Sequence, residues 1–220
     1  MIAEENDKPY IRRSVEGDAS ETGLIKFVQP LLMDGPFGCY QKGGLDAFRL
    51  KYPVFRDESG AEVNIPFSSD IKFNLCVRDM QANDENLCVF LKGAPERVVT
   101  RCSTVLIDGE DKPLDSKMQA RIKAAYDRFG GMGERVLAFS RHKLNGNIYT
   151  KNPAYPFDVT GWKKWNDVRT FDSAVKGWFP MWNLQLVGLV SLNDPPRPTV
   201  DTSVLKCRNA GIKVIMVTGD

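Results

Sequence analysis

Between Lys72 and Arg78 the chain alternates, with Phe73, Leu75 and Val77 on one side of an extended segment and Lys72, Asn74 and Cys76 on the other. A period of two predicts a strand with one face buried and the second available to a ligand. The apolar run Leu87 to Leu91 predicts its hairpin partner, reached through the polar stretch Met80 to Asn86. A further strand is expected from Glu134 to Ser140. Asp108-Gly109 signals a tight turn whose return strand is held to an edge position by Pro113. Helical period takes over elsewhere. Asp18 and Glu21 stand in capping-box spacing before Leu24, Ile25, Val28, Leu31 and Leu32, with Pro30 marking a kink or boundary. Asp115 caps a long helix carrying Met118, Ile122, Ala125, Tyr126 and Phe129 on one face, stopped by Gly130-Gly131. Pro95 opens a short helix running to Cys102.

Two stretches lack a period. Gly35 to Gly44 reads as a surface loop, and Asn145 to Pro180, with Trp162, Trp165 and Trp178 among Gly, Asn, Asp and Lys, reads as a long surface insertion. At Leu184 the texture changes to an apolar strand up to Leu192, a turn at Asn193-Asp194-Pro195-Pro196, a helix over 199–209 ended by Gly211, and an apolar strand from Lys213 to Val217. Strand, helix, strand implies a βαβ unit and a parallel sheet. The expected class is α+β, an antiparallel sheet flanked by helices over 1–183, followed by a βαβ piece over 184–220. Thr218, Gly219 and Asp220 stand where the last strand ends, the edge at which open α/β sheets bind ligands. The chain is therefore expected to stop inside a site.

Composition narrows the function classes. The formal net charge is +2 over 220 residues, and no basic run or stripe suits a row of phosphates, which argues against nucleic acid. Five cysteines, Cys39, Cys76, Cys88, Cys102 and Cys207, show no CxxC spacing and fit reduced thiols in a cytosolic setting. His142 is the single histidine, expected to be an ordinary exposed residue, so a zinc site or a His-based triad is not supported. No apolar run approaches the ~20 residues a membrane-crossing helix needs, and Met1 to Tyr10 lacks the apolar core of a secretory signal.

Several residues carry candidate chemistry, each with an ordinary structural reading beside it. In Lys92-Gly93-Ala94-Pro95-Glu96-Arg97, a lysine at a strand end and free backbone N–H groups at a helix start suit an anion; a plain strand-to-helix turn explains the same residues. Glu21 is explained by its capping role. Phe67, after Ile65-Pro66, is either a core aromatic or a plate for a stacked base. Lys72 and Asn74 suit a solvated sheet face, and Arg135 in Gly133-Glu134-Arg135 suits an exposed ion pair. Asp194 and Asp220 end neighbouring expected strands, where carboxylates hold magnesium or meet a phosphoryl group, although Asp194 before two prolines is also a turn residue. No GxxxxGK[ST] or GxGxxG run occurs.

The order of these segments resembles the cytosolic part of type II P-type ATPases. Gly17-Asp18-Ala19-Ser20-Glu21, Ile65-Pro66-Phe67 with Lys72 five residues on, Lys92-Gly93-Ala94-Pro95-Glu96-Arg97, Gly133-Glu134-Arg135-Val136-Leu137, Asp194-Pro195-Pro196-Arg197 and Val214 to Asp220 all match. The forms KGAPER, GERVL and VIMVTGD are closer to the sodium/potassium and proton/potassium pumps than to the calcium pumps. The resemblance covers essentially the whole chain. It implies a nucleotide-binding domain over 1–183 and part of a Rossmann-like phosphorylation domain over 184–220. By the same resemblance Phe67 stacks on adenine, Glu21, Lys72 and Asn74 line its pocket, and Lys92 with Gly93 close the inner wall. Arg135 meets the ATP phosphates, while Asp194, Thr218, Gly219 and Asp220 lie near the phosphates and Mg2+. No residue of the chain is expected to be catalytic or a direct metal ligand.

Asn74 stands where a glutamine is common, and neither the DKTGT phosphoacceptor motif nor TGDGVNDSP occurs here. The expected function is the ATP-binding portion of a cation-transporting ATPase on the cytosolic face of a membrane, catalytically incomplete alone. Its partners are ATP and the phosphorylation, actuator and membrane domains of the same pump. A free-standing nucleotide-sensing module and a structural relative that has lost binding are the alternatives.

Overall fold

The computed structural model describes residues 14–15, 17–33, 44–81, 87–169, 177–193 and 196–217. The alternating segment forms the expected strand, β2 (Phe73–Asp79), with Phe73, Leu75 and Val77 buried. It pairs antiparallel with β3 (Leu87–Gly93), and β1 (Asn64–Ile65) lines its other edge. β4 (Cys102–Ile107) turns through Asp108 and Gly109, both at positive φ, into β5 (Glu110–Pro113), an edge strand ending at the proline. β6 (Arg135–Lys143) and β7 (Leu184–Leu192) complete one seven-stranded sheet in the order β1-β2-β3-β6-β7-β4-β5.

Two of the helices start where an aspartate side chain satisfies a first-turn N–H group. In α1 (Ala19–Met33) the Asp18 carboxylate accepts from the Glu21 backbone N–H at 2.8 Å. α2 (Gly44–Lys51) follows, then α3 (Pro95–Val98) with proline at its first turn and a 3-10 turn over Val99–Arg101. In α4 (Ser116–Gly131) the Asp115 carboxylate accepts from Met118 at 2.7 Å. α5 (Val200–Asn209) ends before Gly211 at φ 76°. No helix among the described residues is long and apolar enough to cross a membrane.

Several expectations need correction. The sheet is mixed, because β4 and β7 run parallel while every other pair is antiparallel. β7, grouped by its sequence with 184–220, is an interior strand bonded to β6 and β4. Lys213 to Val217 forms no strand and pairs with none of the described strands, and Ile215, Met216 and Val217 stand 67%, 86% and 89% exposed. Pro30 lies inside α1 rather than ending it, since the backbone bond it removes falls in the last turn.

The Trp-rich stretch is not a surface insertion. Tyr149, Phe157, Trp165, Trp178, Phe179 and Met181 are buried and join the same core as Phe73, Leu75 and Leu91. Its rings pack among themselves, with Phe157 stacked on Tyr149 at 5.7 Å and Trp165 against Trp178 at 5.6 Å. Arg101 fastens this layer. Its buried guanidinium lies 4.9 Å from the Phe73 ring and 4.8 Å from the Trp182 ring, and donates to the Asn166 side-chain oxygen at 2.6 Å. His142 is half-buried rather than exposed, and desolvation holds its pKa below the usual value. Among the described residues Cys76, Cys88, Cys102 and Cys207 are free thiols; burial pushes Cys88 up to about 11 and Cys102 up to about 12. Gly35 to Gly43, most of the expected loop, lies outside the described residues.

Candidate functional site

The opposite face of β2 and β3 is only partly buried, and at one end it opens into a cavity of about 510 Å³. Every described residue singled out by sequence lines it. α1 delivers Glu21 in its first turn, where Asp18 caps the backbone and leaves the Glu21 carboxylate free to reach across to β3. Lys92 on β3 pairs with that carboxylate, with 24% of its side chain exposed, and faces Asn74 directly across the β2–β3 ladder. The floor of the cavity is thus one rung of the sheet, closed on one side by an ion pair.

Gly93 is dictated by space. A Cβ there would lie 2.3 Å from the Lys72 carbonyl oxygen and 2.6 Å from Phe73 Cα, because Gly93 pairs with Phe73 while Ala94 donates to the Lys72 carbonyl at 2.9 Å. Lys72 itself sits at φ 57°, a left-handed conformation that a non-glycine residue adopts at a cost of about 1–3 kcal/mol when the surroundings enforce it. The strain is local to the point where the chain enters β2.

Phe67 follows β1 and is 64% exposed at the rim, which removes the core reading of this ring. Arg135, the first residue of β6, stands on the wall formed with Val136 and Leu137, and its guanidinium donates to the Ser20 hydroxyl of α1 at 3.0 Å. An exposed aromatic face, a polar rung and three cations from separate elements therefore surround one space. Such an arrangement can hold a flat heteroaromatic group against Phe67 and an anionic group toward Arg135. Asp194, Thr218, Gly219 and Asp220 lie outside the described residues.

The family model for the P-type ATPase cytoplasmic domain N matches residues 2–199. This chain belongs to that family. It is 39% identical over 218 residues to the sodium/potassium-transporting ATPase subunit alpha of Tetronarce californica, covering 99% of this chain and 18% of that protein. With the potassium-transporting ATPase alpha chain 2 of Oryctolagus cuniculus it shares 41% identity over 217 residues, 98% of this chain and 17% of the relative. The chain thus spans less than a fifth of the length of these relatives.

Beyond the candidates chosen from the sequence of this N domain, Asp18, Ser20, Ser69, Ala94, Glu96, Val136 and Leu137 also line the cavity. All but Ser69 stand inside the quoted motifs and were within reach of that signal; Ser69 lies in a loop without period. Among the described residues no cluster of three His, Cys, Asp or Glu side chains is arranged to hold a metal ion.

Proposed function

We propose that this chain is the ATP-binding part of a P-type cation-transporting ATPase, on the cytosolic side of a membrane. It presents ATP to an aspartate that lies outside this chain, in a pump whose phosphorylation, actuator and membrane domains are its partners. The observation that carries the reading is the convergence of Glu21, Phe67, Lys72, Asn74, Lys92, Gly93 and Arg135, scattered over more than a hundred positions, on one cavity. Adenine stacks on Phe67, its polar edge meets the rung of Asn74, Lys92 and Glu21, and the phosphates extend toward Arg135. Lys72, on the same side as Phe67, offers a further ammonium to the nucleotide. Magnesium arrives with ATP, and Asp194, Thr218, Gly219 and Asp220 are proposed to lie near the phosphates and the ion.

The division into a nucleotide-binding domain over 1–183 and part of a phosphorylation domain over 184–220 is kept as a proposal, with β7 hydrogen-bonded to β6 and β4 of the sheet. In the complete pump the bound nucleotide would phosphorylate the aspartate by in-line transfer of its γ-phosphoryl group. This domain contributes binding and orientation.

One stacked ring and a few charge-assisted hydrogen bonds correspond to roughly 4–5 kcal/mol, a dissociation constant on the order of a millimolar. A calorimetric or NMR titration with ATP tests this. Saturable binding in that range, little changed by magnesium and weakened about tenfold in Phe67→Ala with an unchanged melting temperature, is the expected result. A well-folded chain that binds no ATP would overturn the reading and return the chain to the structural-relative alternative.

A further inference from the structure

Further along the hairpin from the candidate ATP site, β2 and β3 bring two thiols onto one face of the sheet. Cys76 stands opposite Phe90 and Cys88 opposite Arg78, so the cysteines occupy neighbouring rungs on a diagonal of the ladder. Diagonal neighbours across antiparallel strands hold their Cβ atoms about 6–7 Å apart. A disulfide needs about 3.5–4.5 Å, so the pair does not close on itself without parting the strands. Two sulfurs bridged by one metal ion stand roughly 4.6 Å apart, at ~2.3 Å per metal–sulfur bond, and both side chains reach that spacing. Met80, the residue after β2, brings a third soft donor to the same place, since it borders one cavity with Cys76 and another with Cys88.

Burial and charge choose among the chemistries open to a thiol pair. Cys88 is 5% exposed and Cys76 is half-buried. Burial pushes the Cys88 thiol up to about 11 and raises that of Cys76, so neither is a ready nucleophile. A bound metal ion reverses this, because it displaces the proton from each sulfur. The charged side chains that bear on the pair are cationic: Arg78 and Lys92 on Cys76, Arg141 and Lys143 on Cys88. Two thiolates with a monovalent cation keep one negative charge, which these cations stabilise, whereas a divalent ion leaves a neutral centre amid positive charge. Among the described residues no His, Asp or Glu joins the cysteines to make a set of three, short of the four ligands of a structural zinc centre. Two thiolates and a thioether are a donor set that selects copper(I).

We infer that Cys76 and Cys88, with the Met80 thioether as third donor, form a binding site for copper(I), a soft monovalent cation that joins β2 to β3 and releases one proton from each thiol. The site shares no side chain with the candidate ATP cavity and does not rest on the ATP reading.

The test is an anaerobic titration of the full, reduced chain with copper(I) presented as its bicinchoninate complex, whose loss of colour reports transfer to the protein. One copper(I) per chain is expected to leave the chelator. Cys76→Ser and Cys88→Ser should each weaken capture by at least about a hundredfold, more than loss of an outer-shell partner costs, and Met80→Leu by about three- to tenfold. Cys39→Ser, Cys102→Ser and Cys207→Ser should bind as the parent does, which separates the pair from the remaining thiols. Each variant is first checked for a native amide spectrum. Because replacing the buried Cys88 puts the fold at risk, the parent chain is also titrated with silver(I), a redox-inert substitute, with saturable amide shifts expected at 75–77 and 87–89 together. No capture, capture that survives in a folded serine variant of either paired cysteine, shifts on one strand alone, or zinc(II) bound more tightly than copper(I) would each overturn the inference.

Discussion

At the scale of single residues, the site depends on positions that tolerate no alternative for reasons of space. Gly93 is the clearest. Any Cβ there meets backbone atoms of Lys72 and Phe73 rather than a flexible side-chain tip, so the two strands must part to admit it. Gly93→Ala is expected to lower stability by roughly 1–3 kcal/mol and to weaken ATP binding together with it, because Lys72 and Asn74 shift with the strand. Denaturant unfolding and an ATP titration of the same sample check this. Phe67→Ala should behave in the opposite way, losing affinity without stability, since its ring is largely exposed and supports no core. The legibility of these two residues from sequence also differs. Gly93 carried a motif signal whose steric cause lies across the hairpin, while Phe67 by itself read first as a core aromatic, a reading its exposure removes.

At the scale of elements, two couplings set the behaviour of the sheet. The first is the clamp of Arg101 between Phe73 and Trp182, with its hydrogen bond to Asn166, which ties the 144–182 segment to β2. Removing a buried, partnered guanidinium leaves both a cavity and unpaired polar groups. Arg101→Ala is therefore expected to cost about 2–4 kcal/mol, measured by chemical denaturation, while leaving the exposed site residues in place. The second is His142 on β6, whose pKa desolvation lowers and a contact with the Asn183 backbone partly restores. With the folded value depressed below 6.5, the unfolded chain takes up a proton that the folded chain resists. The stabilisation is present above about pH 6.5 and is lost as pH falls through the lower, folded value. A pH series of melting temperatures should show this decline, and His142→Gln should flatten it relative to the parent chain.

At the scale of the whole molecule, the described residues divide by what holds them. Seven strands, α1, α3, α4 and the aromatic segment are tied together through one sheet, with Met118 and Ile122 of α4 packed on the core, whereas α5 contributes nothing to that core and 212–217 are exposed. A chain ended at Leu192 is expected to keep its melting temperature within about 2 °C and its ATP affinity unchanged. A large fall in melting temperature would show that α5 supports the sheet. The candidate site needs elements spread over most of the domain, because its residues come from α1, the stretch after β1, β2, β3 and β6.

The local elements were legible in the sequence because they rest on short-range physics. Period-two alternation formed β2, the Asp18 and Asp115 carboxylates began helices at the expected places, and Asp108-Gly109 made its turn. The candidate site was legible through motif order, since each motif sits at the start or end of an element that folding brings to one face of the sheet. Three features were decided only by tertiary structure. Trp165 and Trp178 have no period to announce burial, and their place in the core follows from an apolar sheet face that needs covering. Apolar Lys213 to Val217 matched a strand by composition, yet a strand exists only when a neighbour supplies hydrogen bonds, and no described strand pairs with this stretch. The rung of Asn74, Lys92 and Phe139 depends on which residues stand opposite one another across three strands, and a register of that kind is set by long-range pairing that no single stretch of sequence contains.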